Sequence, residues 1–305
     1  MVNEVLPLGN GKPKVKPQVK VIGVGGAGCN TIADSPYEGL AICAAVENAR
    51  RPNSRERIVI PARQLELIMT SSARTVISLA PSWIKKLREE TAETDLIYVF
   101  SGLGGDLGSN LTPLVARMCK RPDNLVVSSV ALPFSVEGRD RKEVARAALQ
   151  RTMEESDLTI TYPNDQLMRI APNLPLGQAF SVMDSIMTVP PRELEKVLTR
   201  DDLGLIKKDL SSCSFLRFGY GQAEGPRRER MAVYEAFSSP WFDFDLSKVR
   251  GGIAVIYAKD LDDVALKEVT SRITAKLPLA RLRLAARADP AMGERLRVML
   301  LLGGV

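Results

Sequence analysis

Apolar positions in this chain come in short blocks separated by polar and glycine-rich stretches. Val19-Lys-Val-Ile-Gly-Val24 is an apolar run that passes straight into glycines, and residues 40–46 and 57–60 read as further strands. Leu96-Ile-Tyr-Val-Phe100 is continuously apolar, as are residues 125–132 and 158–162. Runs of this kind belong to strands that a parallel sheet buries on both faces. Residues 81–90, 111–120 and 140–155 carry helical spacing, the last with Val144, Ala147, Ala148 and Leu149 on one side. Strands alternating with helices predict a doubly wound α/β domain over residues 19–177.

Residues 178–200 read as one long central helix with a flaw at Pro190-Pro191. Paired prolines remove backbone donors and clash with the preceding turn, at about 3 kcal/mol or more, so the helix is expected to bend or restart there. Beyond it, residues 251–258 and 296–302 read as strands flanking a helix over 262–275, a smaller α+β domain spanning 201–305. Residues 1–18, rich in Pro, Gly and Lys without periodicity, read as a flexible tail.

Composition narrows the chemistry. With 45% hydrophobic and 26% charged residues, the 305-residue chain is globular in character. No apolar run has the roughly 18–20 residues of a membrane span, and the start lacks a secretory pattern, so cytoplasmic residence is expected, with membrane contact only through a partner. Four separated cysteines without a CxxC pair read as buried thiols, and no metal site is expected from them. The chain has no histidine, which excludes Ser–His and Cys–His nucleophilic pairs and histidine-ligated zinc. The net charge of +6 collects in Lys12, Lys14, Lys16 and Lys20 and around Arg227–Arg230. No aromatic residues interleave these clusters, so they read as solvated faces and not as a nucleic-acid surface.

Gly23-Val-Gly-Gly-Ala-Gly28 follows a strand and precedes a helix, where glycines let backbone approach a phosphate and helix amides supply positive potential. The same run satisfies G-x-G-x-x-G, and Glu47 lies 19 positions beyond Gly28, where a dinucleotide fold places its ribose-binding acid. An NAD-dependent oxidoreductase is therefore one reading of the first fifty or so residues. A second cluster, Ser101-Gly-Leu-Gly-Gly-Asp-Leu-Gly108, argues against it, because it too falls between strand and helix. Pro133–Arg141 and Thr161-Tyr-Pro-Asn-Asp165 follow the next two strands. Four such loops after successive strands describe one crevice at the edge of a parallel sheet.

This series resembles the FtsZ branch of the tubulin superfamily, filament-forming GTPases, from about Lys20 onward. The resemblance implies that Gly25, Gly26 and Ala27 cradle phosphates with Asn30 nearby, and that Gly104, Gly105 and Gly108 form the second phosphate loop. It implies ribose and base contacts from Glu137 and Arg141, and recognition of a guanine edge by Asn164. Phe180 would pack on the base and Asp184 would read it. The expected ligand is GTP or GDP, and self-association into a dimer or filament is implied.

The departures from the family pattern point toward weakened hydrolysis. Asp106 puts a carboxylate where a phosphate oxygen would sit. Two unit charges about 4 Å apart repel by about 4 kcal/mol at an effective dielectric near 20. The alternative is that Asp106 points outward or caps the next helix. Ala49 stands where the family has a phosphate- and metal-side aspartate, leaving Mg2+ without that ligand, and no glycine-rich loop is found between Arg57 and Leu96. Of the two acids that the family places after the long helix, one residue deleted leaves Asp209 as the second and Ile206 for the first. Ungapped, Lys207 and Leu210 occupy both places. Asp201 and Asp202 read as caps. The expectation is an FtsZ-like pseudo-GTPase that assembles by itself or modulates a GTPase-competent FtsZ relative in cell division or shape. The alternative is an active polymerising GTPase that uses Asp209.

Overall fold

The structure is a computed structural model and describes residues 4–7, 15–33, 35, 37, 39–44, 56–71, 73–79, 81–213 and 215–304. The first described element, β1 (Glu4–Pro7), lies inside the segment expected to be a loose tail. It belongs to the second of two compact units; the first unit is Pro17–Val189.

In chain order the first unit comprises β2 (Val19–Val24), α1 (Gly25–Ala33), β3 (Gly39–Ala44), β4 (Glu56–Ile60), α2 (Ala62–Thr70), α3 (Ala73–Ser78) and α4 (Ser82–Thr91). It continues through β5 (Leu96–Gly102), α5 (Asp106–Cys119), β6 (Leu125–Leu132), α6 (Arg139–Glu155), β7 (Leu158–Pro163), α7 (Leu167–Ile170) and α8 (Leu176–Met187). Its six strands lie in the order β7-β6-β5-β2-β3-β4, every pairing parallel. β5 is buried from Leu96 through Ser101, which is why its sequence is apolar without alternation. One face packs Ile22, Ile42, Val99, Leu111, Val115 and Leu87 into a common core. A smaller cluster holds Leu103, Val130, Ala145 and Ala148.

Two expectations shift by a few residues. α5 begins at Asp106, five residues before the predicted start, so Gly108 is helical. On α6 the buried positions are Ala145, Ala148 and Thr152, while Val144 is exposed. The stripe is set by small residues that admit the helix to the sheet rather than by the largest apolar ones.

The helix expected over 178–200 is two helices. α8 ends at Met187, and α9 (Val189–Glu195) starts immediately before Pro190 and Pro191. The prolines thus sit in a first turn, where backbone N–H groups have no helical partner to lose. The two compact units divide here, between Val189 and Pro190.

The second unit continues with α10 (Arg200–Asp209), β8 (Phe215–Glu224), α11 (Arg228–Phe237), β9 (Val249–Ala258), α12 (Asp263–Lys276), β10 (Arg281–Ala288) and β11 (Arg295–Gly304). β1 pairs parallel with β10, and β10 parallel with β9. β11 runs antiparallel between β9 and β8. Ala232, Val233, Ile256, Val269, Ile273 and Val298 form its core. Among the described residues no helix is long and apolar enough to cross a membrane.

Candidate functional site

At the C-terminal ends of β2, β5, β6 and β7 the first unit holds a cavity of about 360 Å³. Its walls include Gly25, Gly26, Ala27 and Asn30 from α1, Gly105, Asp106 and Gly108 at the start of α5, and Glu137 and Arg141 beyond β6. Asn164 follows β7, and Phe180 and Asp184 come from α8. Twelve of the residues singled out from sequence therefore meet in one place. Gly104 and Asp209 do not.

The two helix entrances are built by close backbone approach. A Cβ on Gly28 would lie 2.1 Å from the Phe100 carbonyl oxygen, and one on Gly108 2.2 Å from that of Gly102. No side chain fits at either place, so these glycines seat α1 and α5 against β5. Gly25 has φ +71°, a conformation that turns the chain from strand into helix and that L side chains resist. The α1 N-terminus, with no acidic residue in its first turn, faces the cavity. Unpaired amides and the helix dipole make such an end a site for anions.

Gly104 serves the loop and not the cavity. Its φ is +104°, and its N–H donates to the buried Ser109 hydroxyl at 2.9 Å. That amide is occupied inside the loop, and Gly104 is not among the residues that line the cavity. Asp106 lines the cavity, is exposed, and occupies the first turn of α5. It lines the cavity without capping α5: the N-cap is Gly105, and no side-chain cap hydrogen bond is made there.

The far end of the cavity is polar and ordered. Glu137 accepts from the Phe134 N–H at 2.7 Å and forms an ion pair with Arg141. Asn164 is 4% exposed, and its carboxamide oxygen has no hydrogen-bond partner among the described residues. A buried amide left so is costly unless something supplies the missing partner, and oxygen and nitrogen can exchange places to suit it. Phe180 stays 40% exposed and meets Phe134 edge to face at 5.6 Å.

Sequence reasoning missed two supporting residues. Thr31, one helical turn after Ala27, donates its hydroxyl to the Asp184 carboxylate at 2.6 Å, tying α1 to α8. Its place at i+4 from a phosphate-loop residue was the available signal. Asp165 accepts from the Ser135 N–H at 2.6 Å and from its hydroxyl at 2.5 Å, with Lys142 beside it. Burial pushes the Asp165 carboxyl up, but these donors and the ammonium outweigh it and hold it below the ordinary range. The bond fastens the loop bearing Glu137 to the one bearing Asn164.

Asp209 lies in the second unit, its side chain 2% exposed. Arg281 is 3.0 Å from one carboxylate oxygen, and Arg283 grips the other through two nitrogens. Ile206 is buried, and Asp202 caps α10 by accepting from the Thr199 N–H at 2.8 Å. Glu47 and Ala49 lie outside the described residues.

A family model described as the Tubulin/FtsZ family, GTPase domain, matches residues 43–172. A cell division protein FtsZ 1 from Archaeoglobus fulgidus is 30% identical over a 309-residue alignment that covers 96% of this chain and 83% of the relative. The chain belongs to the tubulin/FtsZ family. Within that family it is similar to an FtsZ dimer structure, described as empty, from M. jannaschii, with TM-score 0.80 and 25% identity over 96% of this chain and 90% of the other. A GDP-bound CetZ1 monomer from Haloferax volcanii shares the fold, with TM-score 0.76 and 18% identity over 94% of each chain. The fold is thus the tubulin/FtsZ α/β fold.

Proposed function

We propose that this chain is an FtsZ-like cytoskeletal protein that holds guanine nucleotide, GTP or GDP, and hydrolyses it little. It acts in the cytoplasm in cell division or cell shape, by self-assembly or by modulating a GTPase-competent relative. The observation that supports nucleotide binding is that Asn164, whose amide oxygen has no partner among the described residues, and Asp184 line one cavity. Guanine presents an acceptor and adjacent N–H donors on one edge, so an amide and a carboxylate are matching partners. Glu137 and Arg141, paired on the same cavity wall, are assigned the ribose and base contacts.

Weak hydrolysis is supported by Asp209. A carboxylate that positions water must reach it, and one enclosed by two guanidinium groups has no such freedom. Self-assembly is supported by the likeness to an FtsZ dimer. Identifying the nucleotide that copurifies, with phosphate release measured over a concentration series, tests both halves. Bound guanine nucleotide with negligible turnover is expected. Concentration-dependent GTP turnover at the level of an ordinary filament-forming GTPase would refute the second half.

A further inference from the structure

The two helix entrances at the cavity differ in charge. α1 arrives with no acid in its first turn and places Gly25, Gly26 and Ala27 on the wall. α5 arrives with its own carboxylate, Asp106, on the same wall. No hydrogen bond or ion pair among the described residues engages that carboxylate. The neighbouring loop amide of Gly104 is turned into Ser109. One entrance carries no acid of its own, and the other has its positive end answered from within the chain.

The rest of the lining does not restore the balance. Asp106, Glu137 and Asp184 face one cation, Arg141, which is paired with Glu137. Asn164 lies on the same lining, buried, with its amide oxygen left without a partner among the described residues. We infer that the cavity selects guanine nucleotides by phosphate number, taking the mono- or diphosphate on α1 and rejecting the triphosphate through Asp106.

This inference rests on the guanine-nucleotide reading above. The two entrances adjoin, a Cβ on Gly25 lying 3.4 Å from the Gly108 nitrogen, so each phosphate added on α1 extends negative charge toward a carboxylate already on the same wall, and repulsion between like charges grows as they approach. Asp106 acts as a resident anion, and the state of the protein then follows the supply of diphosphate more than that of triphosphate.

Calorimetric titration of the full chain with guanosine, GMP, GDP and GTPγS, each with magnesium and with EDTA, tests it. The expected result is GDP binding about tenfold or more tighter than GTPγS, a gap of about 1.4 kcal/mol or above. Asp106→Asn should narrow that gap by about tenfold. Asp106→Ser serves as a second variant, with folding checked by circular dichroism. Equal affinities in the parent protein would overturn the inference. So would a magnesium-dependent preference for GTPγS that Asp106→Asn abolishes, since Asp106 would then be a metal ligand. If no guanine compound titrates, the nucleotide reading itself falls.

Discussion

Arg151 of α6 donates to the backbone carbonyl of Ser109 at 3.4 Å, and that carbonyl is the acceptor Pro113 leaves unserved in α5. In a regular helix the amide four residues on would fill it; proline has none. The Ser109 hydroxyl in turn takes the Gly104 N–H, so an arginine outside the cavity braces the glycine loop at its mouth.

Replacing Arg151 with Ala should destabilise the protein by about 1–2 kcal/mol, the cost of a buried acceptor left without a donor. Pro113→Ala restores the helical amide, so in that background Arg151→Ala should cost distinctly less. Urea unfolding of the four proteins in the cycle measures the coupling. Identical costs in both backgrounds would show that the arginine does not serve this carbonyl.

Thr31→Val keeps shape and removes the hydroxyl that holds Asp184. GDP affinity should fall about tenfold, a change of about 1.4 kcal/mol. Thermal stability should change far less. Titration beside a melting curve distinguishes a lost binding contact from a general loosening.

Asp209→Ala should leave the nearly buried Arg283 without its counter-charge and destabilise the second unit by about 3–5 kcal/mol. Turnover should not change apart from that loss of folded protein. Denaturation and phosphate release, compared at equal folded fraction, decide this. A selective loss of hydrolysis in a stable variant would restore Asp209 as a water-positioning acid.

The Asp165 carboxyl is held below its ordinary value in the folded chain. A depressed folded value contributes stability that is present above the unfolded value, about 3.9, and disappears as pH falls through the folded one. The urea midpoint should therefore fall as pH drops below about 4, and Asp165→Asn should flatten that part of the profile. An unchanged slope in the variant would assign the acid sensitivity elsewhere.

The first unit was largely legible because its strands are buried on both faces and its helices return between them. The second was less so. β8 reads Phe-Leu-Arg-Phe-Gly-Tyr-Gly, and its glycines weaken any strand signal. The reason for them is tertiary: a Cβ on Gly219 would sit 2.5 Å from the Ala236 carbonyl oxygen and one on Gly221 2.1 Å from that of Ala232. β10 carries Arg281 and Arg283, which look like surface residues until Asp209 is seen between them. At the cavity, glycine spacing and polar loop residues identified the walls. What spacing could not convey is the direction of a hydrogen bond, as with Gly104 toward Ser109 and Thr31 toward Asp184.

Because the Gly104 amide is already engaged from within its own loop, that corner of the molecule needs no ligand to take its shape. Filling or emptying the cleft would leave it standing. Elsewhere on the lining one hydroxyl on α1 clasps the acid of α8, which joins the cleft to a helix that ends two residues short of the prolines opening the second unit.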